Sequence, residues 1–107
     1  MSNYTQLNTA QGIIREFFGQ IEAGGSLSIN SSTAHDVFLV LFGAWNSSGV
    51  YLVFPNQGGT PVSVLLGKHS NNPSCSFSVN GNWGIKVNNT STVYSQACVV
   101  YRIRKGY

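Results

Sequence analysis

Ionisable side chains are scarce in this chain. Its 107 residues include three acids, six Lys or Arg and two His, so only 8% are charged, against about 25% in average proteins. That shortage excludes most acid–base chemistry. Glycosidase-type catalysis needs two carboxylates roughly 5–10 Å apart across a cleft, and the whole supply is Glu16, Glu22 and Asp36. Glu16 and Glu22 fall in one segment and nothing pairs either with Asp36, so they read as solvated charges. An enzyme is not expected.

Metal ligands are equally few. A zinc site takes three or four ligands, usually with some at close spacing. Here the histidines are His35 and His69, and adjacent strand residues such as His35 and Asp36 point to opposite faces. No metal and no cofactor is expected. The two cysteines, Cys75 and Cys98, form no CxxC. A disulfide would need their Cα atoms within about 7 Å, and two free thiols are expected instead, acting as small buried hydrophobes too shielded to serve as nucleophiles. Gly24-Gly25 and Gly58-Gly59 turn the chain without leading into a helix, so there is no phosphate loop. No apolar run approaches the roughly 20 residues that span a bilayer. The net charge is +3, and three of the six cations are Arg102, Arg104 and Lys105. A nucleic-acid binder shows a broad basic face interleaved with aromatics; this cluster reads as a solvated terminal strand.

What the chain does have is material for a core. It is 42% hydrophobic, with two Trp, five Tyr and six Phe, and its length suits one domain that buries roughly two-thirds of its unfolded surface. Solvation falls to Asn, Ser, Thr, Gln and Gly, as on extracellular and virion-surface β-proteins. Such a surface offers little charge repulsion against self-association. The sequons at Asn30, Asn46 and Asn89 arise by chance in so Asn/Ser-rich a chain.

Strand signals dominate. Residues 1–11 are polar and aperiodic, lack the basic start of a signal peptide, and read as a leader or linker to a domain over 12–107. Ile13, Ile14, Phe17, Phe18 and Ile21 fit a helical stripe, but Gly12 and Gly19 oppose it, each costing about 1 kcal/mol relative to Ala. A hairpin is preferred, with strands Phe17–Glu22 and Ser26–Asn30 around Ala23-Gly24-Gly25. Asp36–Gly43 is a continuous apolar run, as expected of a central strand covered on both faces. After the turn Trp45–Gly49, Val50–Phe54 forms a strand stopped by Pro55, and Val62–Leu66 follows the Asn56–Thr60 loop. Past the polar loop Lys68–Ser74, Cys75–Val79 and Trp83–Val87 both carry their apolar residues at odd positions. Opposed residues share a face, so an odd-length loop must join them. A three-residue loop Val79-Asn80-Gly81 with Gly81 left-handed meets this, and sets Phe77 opposite Trp83. After a polar loop Asn88–Ser95, Ala97–Arg104 closes the fold with Val99, Tyr101 and Ile103 inward and Arg102 and Arg104 outward. The pattern predicts an all-β antiparallel sandwich of seven to eight strands.

Binding is the function left. Loops at the ends of a sandwich are held rigidly by strands. Trp45 and Asn46, with His69, Asn71 and Asn72 in the later loop, offer an aromatic face beside amide and imidazole groups. That suits a saccharide, whose C–H face stacks while its hydroxyls hydrogen-bond. Trp83 reads as core, and the asparagines also serve as turn formers.

The rhythm of GQIEAGGSLSIN, GVYLVFP and ACVVYRIRKGY, with its AGGS-type turn, resembles the C-terminal receptor-binding or tip domains of phage and prophage tail fibres. The likeness spans about Phe17 to Tyr107 and carries over no individual binding residue. It implies a jelly-roll-like sandwich, assembly as a homotrimer beside other virion proteins, and recognition of a cell-surface glycan. It also implies synthesis in a bacterial cytoplasm and display on the virion surface. A structural virion role, as a capsid decoration or fibre-trimerisation domain without a saccharide, is the alternative.

Overall fold

Runs of β-branched and aromatic residues separated by Gly, Asn and Ser become strands throughout. A computed structural model of the protein describes residues 12–104; the reading of 1–11 as a leader and the charge of Lys105 lie outside them. Eight strands follow in order: β1 (Ile13–Ile21), β2 (Ser26–Ile29), β3 (Asp36–Phe42), β4 (Gly49–Asn56), β5 (Gly59–Lys68), β6 (Cys75–Asn80), β7 (Gly84–Asn89) and β8 (Gln96–Arg104). They build two antiparallel sheets, a larger one in the order β1-β8-β3-β4-β5 and a smaller one in the order β2-β7-β6. Pairing β1 with β8 and β2 with β7 wraps the chain in jelly-roll fashion, while β4 and β5 extend the larger sheet.

The sheets meet over Ile21, Phe38, Val40, Phe42, Val53, Cys98 and Val100 from one side and Ile29, Ile85 and Val87 from the other. Tyr51 and Phe77 bridge the layers edge-to-face, with ring centroids 5.1 Å apart at 69°. Such a pair adds about 0.5–1.5 kcal/mol beyond its buried area.

Several expectations need correction. The Ile13–Ile21 stretch is a strand, but β1 and β2 form no hairpin; β1 pairs with β8 and β2 with β7, in different sheets. Ala23-Gly24-Gly25 is the corner between the layers. Gly24 is left-handed (φ 73°) and its N–H donates to the Ser91 carbonyl at 2.9 Å, which ties the corner to a remote loop rather than to a partner strand.

Strand β8 has the opposite phase from that expected. Cys98 and Val100 are fully buried, so Arg102 shares their inward face while Val99, Tyr101 and Ile103 face out. Both residue parities of β8 are apolar, so its alternation alone does not choose between them. Pro55 does not end β4, which continues to Asn56 through a register irregularity between Phe54 and Asn56.

The β6–β7 loop has the expected odd length and keeps the odd positions on one face. It is formed by residues 81–83, however, and Phe77 opposes Val87 rather than Trp83. Gly81 is left-handed as expected (φ 68°). Trp83 therefore sits half-buried in the loop, outside the core cluster.

Candidate functional site

The sequence points to five residues as a loop site, and the structure brings the two loops carrying them together. After β3, Gly43 takes φ 95°, and a Cβ there would run into the Ser47 carbonyl, so only glycine allows the chain to turn this tightly. A single 3-10 turn, Trp45–Ser47, follows. Trp45 lies in the left-handed region with φ 47°. That conformation costs an L-residue with a large side chain roughly 1–2 kcal/mol, and such strain persists only where surrounding contacts impose it.

Those contacts are present. The Ser48 hydroxyl donates to the Trp45 carbonyl at 2.8 Å, and the Ser47 N–H donates to the Ala44 carbonyl at 3.1 Å. From the second loop, the Asn71 N–H donates to the Asn46 carbonyl at 2.7 Å and the His69 N–H to the Ser48 carbonyl at 2.9 Å. Buried Pro73 packs over Gly49. The outcome is an indole 80% exposed to solvent on a backbone that its neighbours hold fixed.

Around the indole the polar groups differ in freedom. The Asn46 side chain is half-buried and its Oδ1 accepts a long 3.4 Å bond from Ser47. His69, an exposed residue, has Nδ1 2.8 Å from both the Ser70 hydroxyl and the Ser70 nitrogen, which makes it an acceptor toward the latter. Asn71 and Asn72 are exposed. Sequence reasoning missed Lys68, whose Nζ reaches the Ser70 carbonyl at 3.4 Å. It also missed an open, largely apolar hollow of about 270 Å³ beside the turn, lined by Leu41, Gly43, Ser48, Val50, Ala97 and Val99. Sites that enclose a whole small molecule run to roughly 300–1,000 Å³, so this hollow suits one ring of a longer ligand. It forms where β3, β4 and β8 end together, a juxtaposition only topology reveals.

The acids are placed elsewhere. Asp36 is fully buried at the start of β3. It accepts from Ser31 Oγ at 2.9 Å, from Arg102 Nη1 at 2.8 Å and from Arg104 Nε at 2.7 Å. Arg102 also holds Glu16 through Nε and Nη2, at 3.1 and 3.2 Å, donates to the Asn30 carbonyl, and lies 5.4 Å over the Phe38 ring. Glu16 and Asp36 thus do share a partner, contrary to expectation, and Arg102 and Arg104 are not a solvated pair. Burial opposes ionisation of Asp36, but the bonds from Arg104, Ser31 and Arg102 outweigh it and hold its carboxyl below the ordinary value. An anion fixed in this way is a poor proton donor. The cluster joins β1, β3 and β8.

The thiols are free. Burial pushes Cys98 up to about 12, with a smaller effect of Cys75; burial likewise raises Cys75, against a bond with Tyr51 that lowers it. Thiolates are the reactive form. Cys98 is therefore expected to resist an aromatic disulfide reagent at neutral pH in the folded protein, and to react within the mixing time once the chain is unfolded in denaturant. Equal rates in both states would show that strand β8 opens readily. Among the described residues no group of three or more His, Cys, Asp or Glu comes together to hold a metal ion, and no helix is long and apolar enough to cross a membrane.

Compared with models of known families, with curated proteins and with solved structures, the chain matches none.

Proposed function

We propose that this domain is the host-attachment module of a virion, a receptor-binding tip of the tail-fibre kind, and that it recognises a cell-surface saccharide at the Trp45 turn. The observation that carries the reading is the indole itself. A large aromatic left 80% exposed, on left-handed backbone held by hydrogen bonds from a second loop, is preorganised for a planar apolar face. Binding to a rigid side chain avoids the ordering cost that flexible contacts carry. The amides of Asn71 and Asn72 and the imidazole of His69 supply hydrogen-bond donors and acceptors on the adjoining loop, as a polyhydroxylated ligand requires. The strand rhythm that resembles fibre-tip domains supports a virion setting and assembly of copies as a trimer.

The test is a glycan array and a host-cell adsorption assay with the parent and Trp45→Ala. An exposed side chain can be removed without loss of fold, which circular dichroism verifies. Loss of a stacked ring is expected to weaken binding by roughly 1–3 kcal/mol. Unchanged affinity in Trp45→Ala places the ligand elsewhere and sinks the site.

One observation favours a second reading, a structural virion protein with no saccharide ligand. The larger sheet leaves apolar side chains such as Phe18, Val62 and Val64 exposed on its outer face, as a subunit built to contact its own copies would. Absence of both saccharide and cell binding, in a protein that assembles, decides for that role.

A further inference from the structure

The two sheets have outer faces of opposite character. On the smaller sheet the outward side chains are Ser26 and Ser28 of β2, Ser76 and Ser78 of β6, and Lys86 and Asn88 of β7. Asn88 links three of them, accepting from Ser26 and donating to Ser76 and Ser78 at 2.8–3.3 Å. That is the polar surface expected of a sheet facing water.

The larger sheet is different. Directly opposed residues share a face, so the register carries one row across all five strands. From β1 to β5 its members include Phe18, Val99, Leu41, Val50 and, in the next tier, Tyr101, Leu39, Leu52 and Val64. None of these belongs to the core cluster. Phe18 is 70% exposed, Ile13 53%, Val62 55%, Val64 44%, and Leu41 and Phe54 37% each. The cation on this face is Arg15, opposite Tyr101 on the edge strand, with its guanidinium 5.1 Å over the Phe18 ring. No acid lies on it among the described residues.

We infer that this face is the surface through which copies of the chain assemble, each burying it against a neighbouring copy. Three features point to a second copy. Five strands about 4.8 Å apart and about seven residues long present on the order of 600 Å², more than scattered surface hydrophobics account for and of the order of the roughly 800 Å² per partner in a stable interface. The face is nearly free of charge, so identical copies do not repel one another, and there is no field to draw in an acidic or basic partner. Sheet faces also pack on sheet faces, about 10 Å apart with strands roughly 30° from parallel. The continuous apolar run of β3 then has a cover on both sides, which a lone copy does not give it.

This surface includes Leu41, Val50 and Val99, which also wall the hollow beside the Trp45 turn, but Val62 on the edge strand lies outside that lining, so Val62→Lys separates assembly from saccharide binding. Light scattering coupled to gel filtration reads the mass of the parent, of Leu41→Lys on the central strand and of Val62→Lys on the edge strand, where a long side chain is easily accommodated. The parent is expected at two or more chain masses. Both variants are expected to keep their circular dichroism and to dissociate at protein concentrations at least tenfold higher, Val62→Lys serving if Leu41→Lys misfolds. A monomeric parent overturns the inference, as do folded variants that remain assembled. A parent that is monomeric but binds neutral phosphatidylcholine vesicles assigns the face to lipid instead. Saccharide binding by Trp45 is measured on the same variants and is unaffected in a monomeric, folded Val62→Lys.

Discussion

Asp36→Asn is expected to remove about 3 kcal/mol of folding stability, the lower end of the roughly 3–5 kcal/mol that follows when one partner of a buried ion pair is deleted. The lower end applies because Arg102 keeps Glu16 and the Arg104 side chain is 41% exposed, so both cations retain some solvation. The carboxylate has no such relief: its exposure is zero and the bonds it accepts come from three side chains. The pH dependence has a definite sign. Its folded pKa lies below the ordinary value of 3.8, so near that value the unfolded chain binds more protons than the folded one. The contribution is therefore complete above pH 3.8 and is lost as pH falls through the lower, folded value. Urea midpoints measured from neutral pH downward are expected to drop steeply below the carboxylate range in the parent and to lack that part of the drop in the variant. A variant as stable as the parent at neutral pH would mean that the cluster contributes nothing net.

Asn89→Ala is expected to cost about 2–4 kcal/mol, since each buried polar group left without a partner costs about 1–3 kcal/mol. Asn89 is 2% exposed. Its Nδ2 donates to the carbonyls of Ile21, Glu22 and Tyr94 at 2.9, 3.1 and 3.0 Å, and its Oδ1 accepts from the Ser91 N–H at 3.0 Å. One side chain thus joins the end of β1, the corner into β2 and the loop before β8. Asn89→Asp separates two explanations. It keeps the acceptor for Ser91 but turns a carboxylate toward three carbonyl oxygens, so it is expected to be at least as damaging as alanine. If aspartate were tolerated, the turn cap alone would account for the residue. The Asn89-Thr90-Ser91 sequon is correspondingly a structural plug, its amide already engaged.

Where the sequence was legible, the reason was local. Alternation in Cys75–Val79 and Ile85–Val87 reported one wet and one dry face, and parity then required an odd loop whatever its position. The Trp45 turn and its partner loop were readable as irregular, aromatic and amide-rich. What escaped was long-range. Strand β8 is apolar at even and odd positions alike, so the choice between Cys98-Val100-Arg102 and Val99-Tyr101-Ile103 as the inner row depends on which sheet lies across from it. Charge normally goes to water, which is where the sequence alone puts Arg102, yet Asp36 and Glu16, far away in the chain, supply it with partners inside. A pattern did exist: the one acid beginning the apolar run of β3, and two arginines spaced by two at the end of β8. The Ala23-Gly24-Gly25 turn was recognised as a turn, but a hairpin and a sheet-to-sheet corner begin with the same residues. The sequence pattern covers both faces of β3 and turns Val99, Tyr101 and Ile103 of β8 inward, whereas that row, with Leu39 and Leu41 opposite it, faces away from the core.

The position of β8 also governs how the fold can be reached. It lies between β1 and β3, so β1 has no neighbour in its sheet until residues 96–104 are in place. The β3–β4–β5 meander and the β6–β7 hairpin join segments close in sequence and form first on that account. Final closure must fix a loop nearly as long as the domain before any contact compensates for it. Topologies of this kind fold in milliseconds to seconds rather than microseconds. A ribosome-bound chain still lacking its last strand would hold a half-built sheet, greasy on both sides, for as long as translation takes.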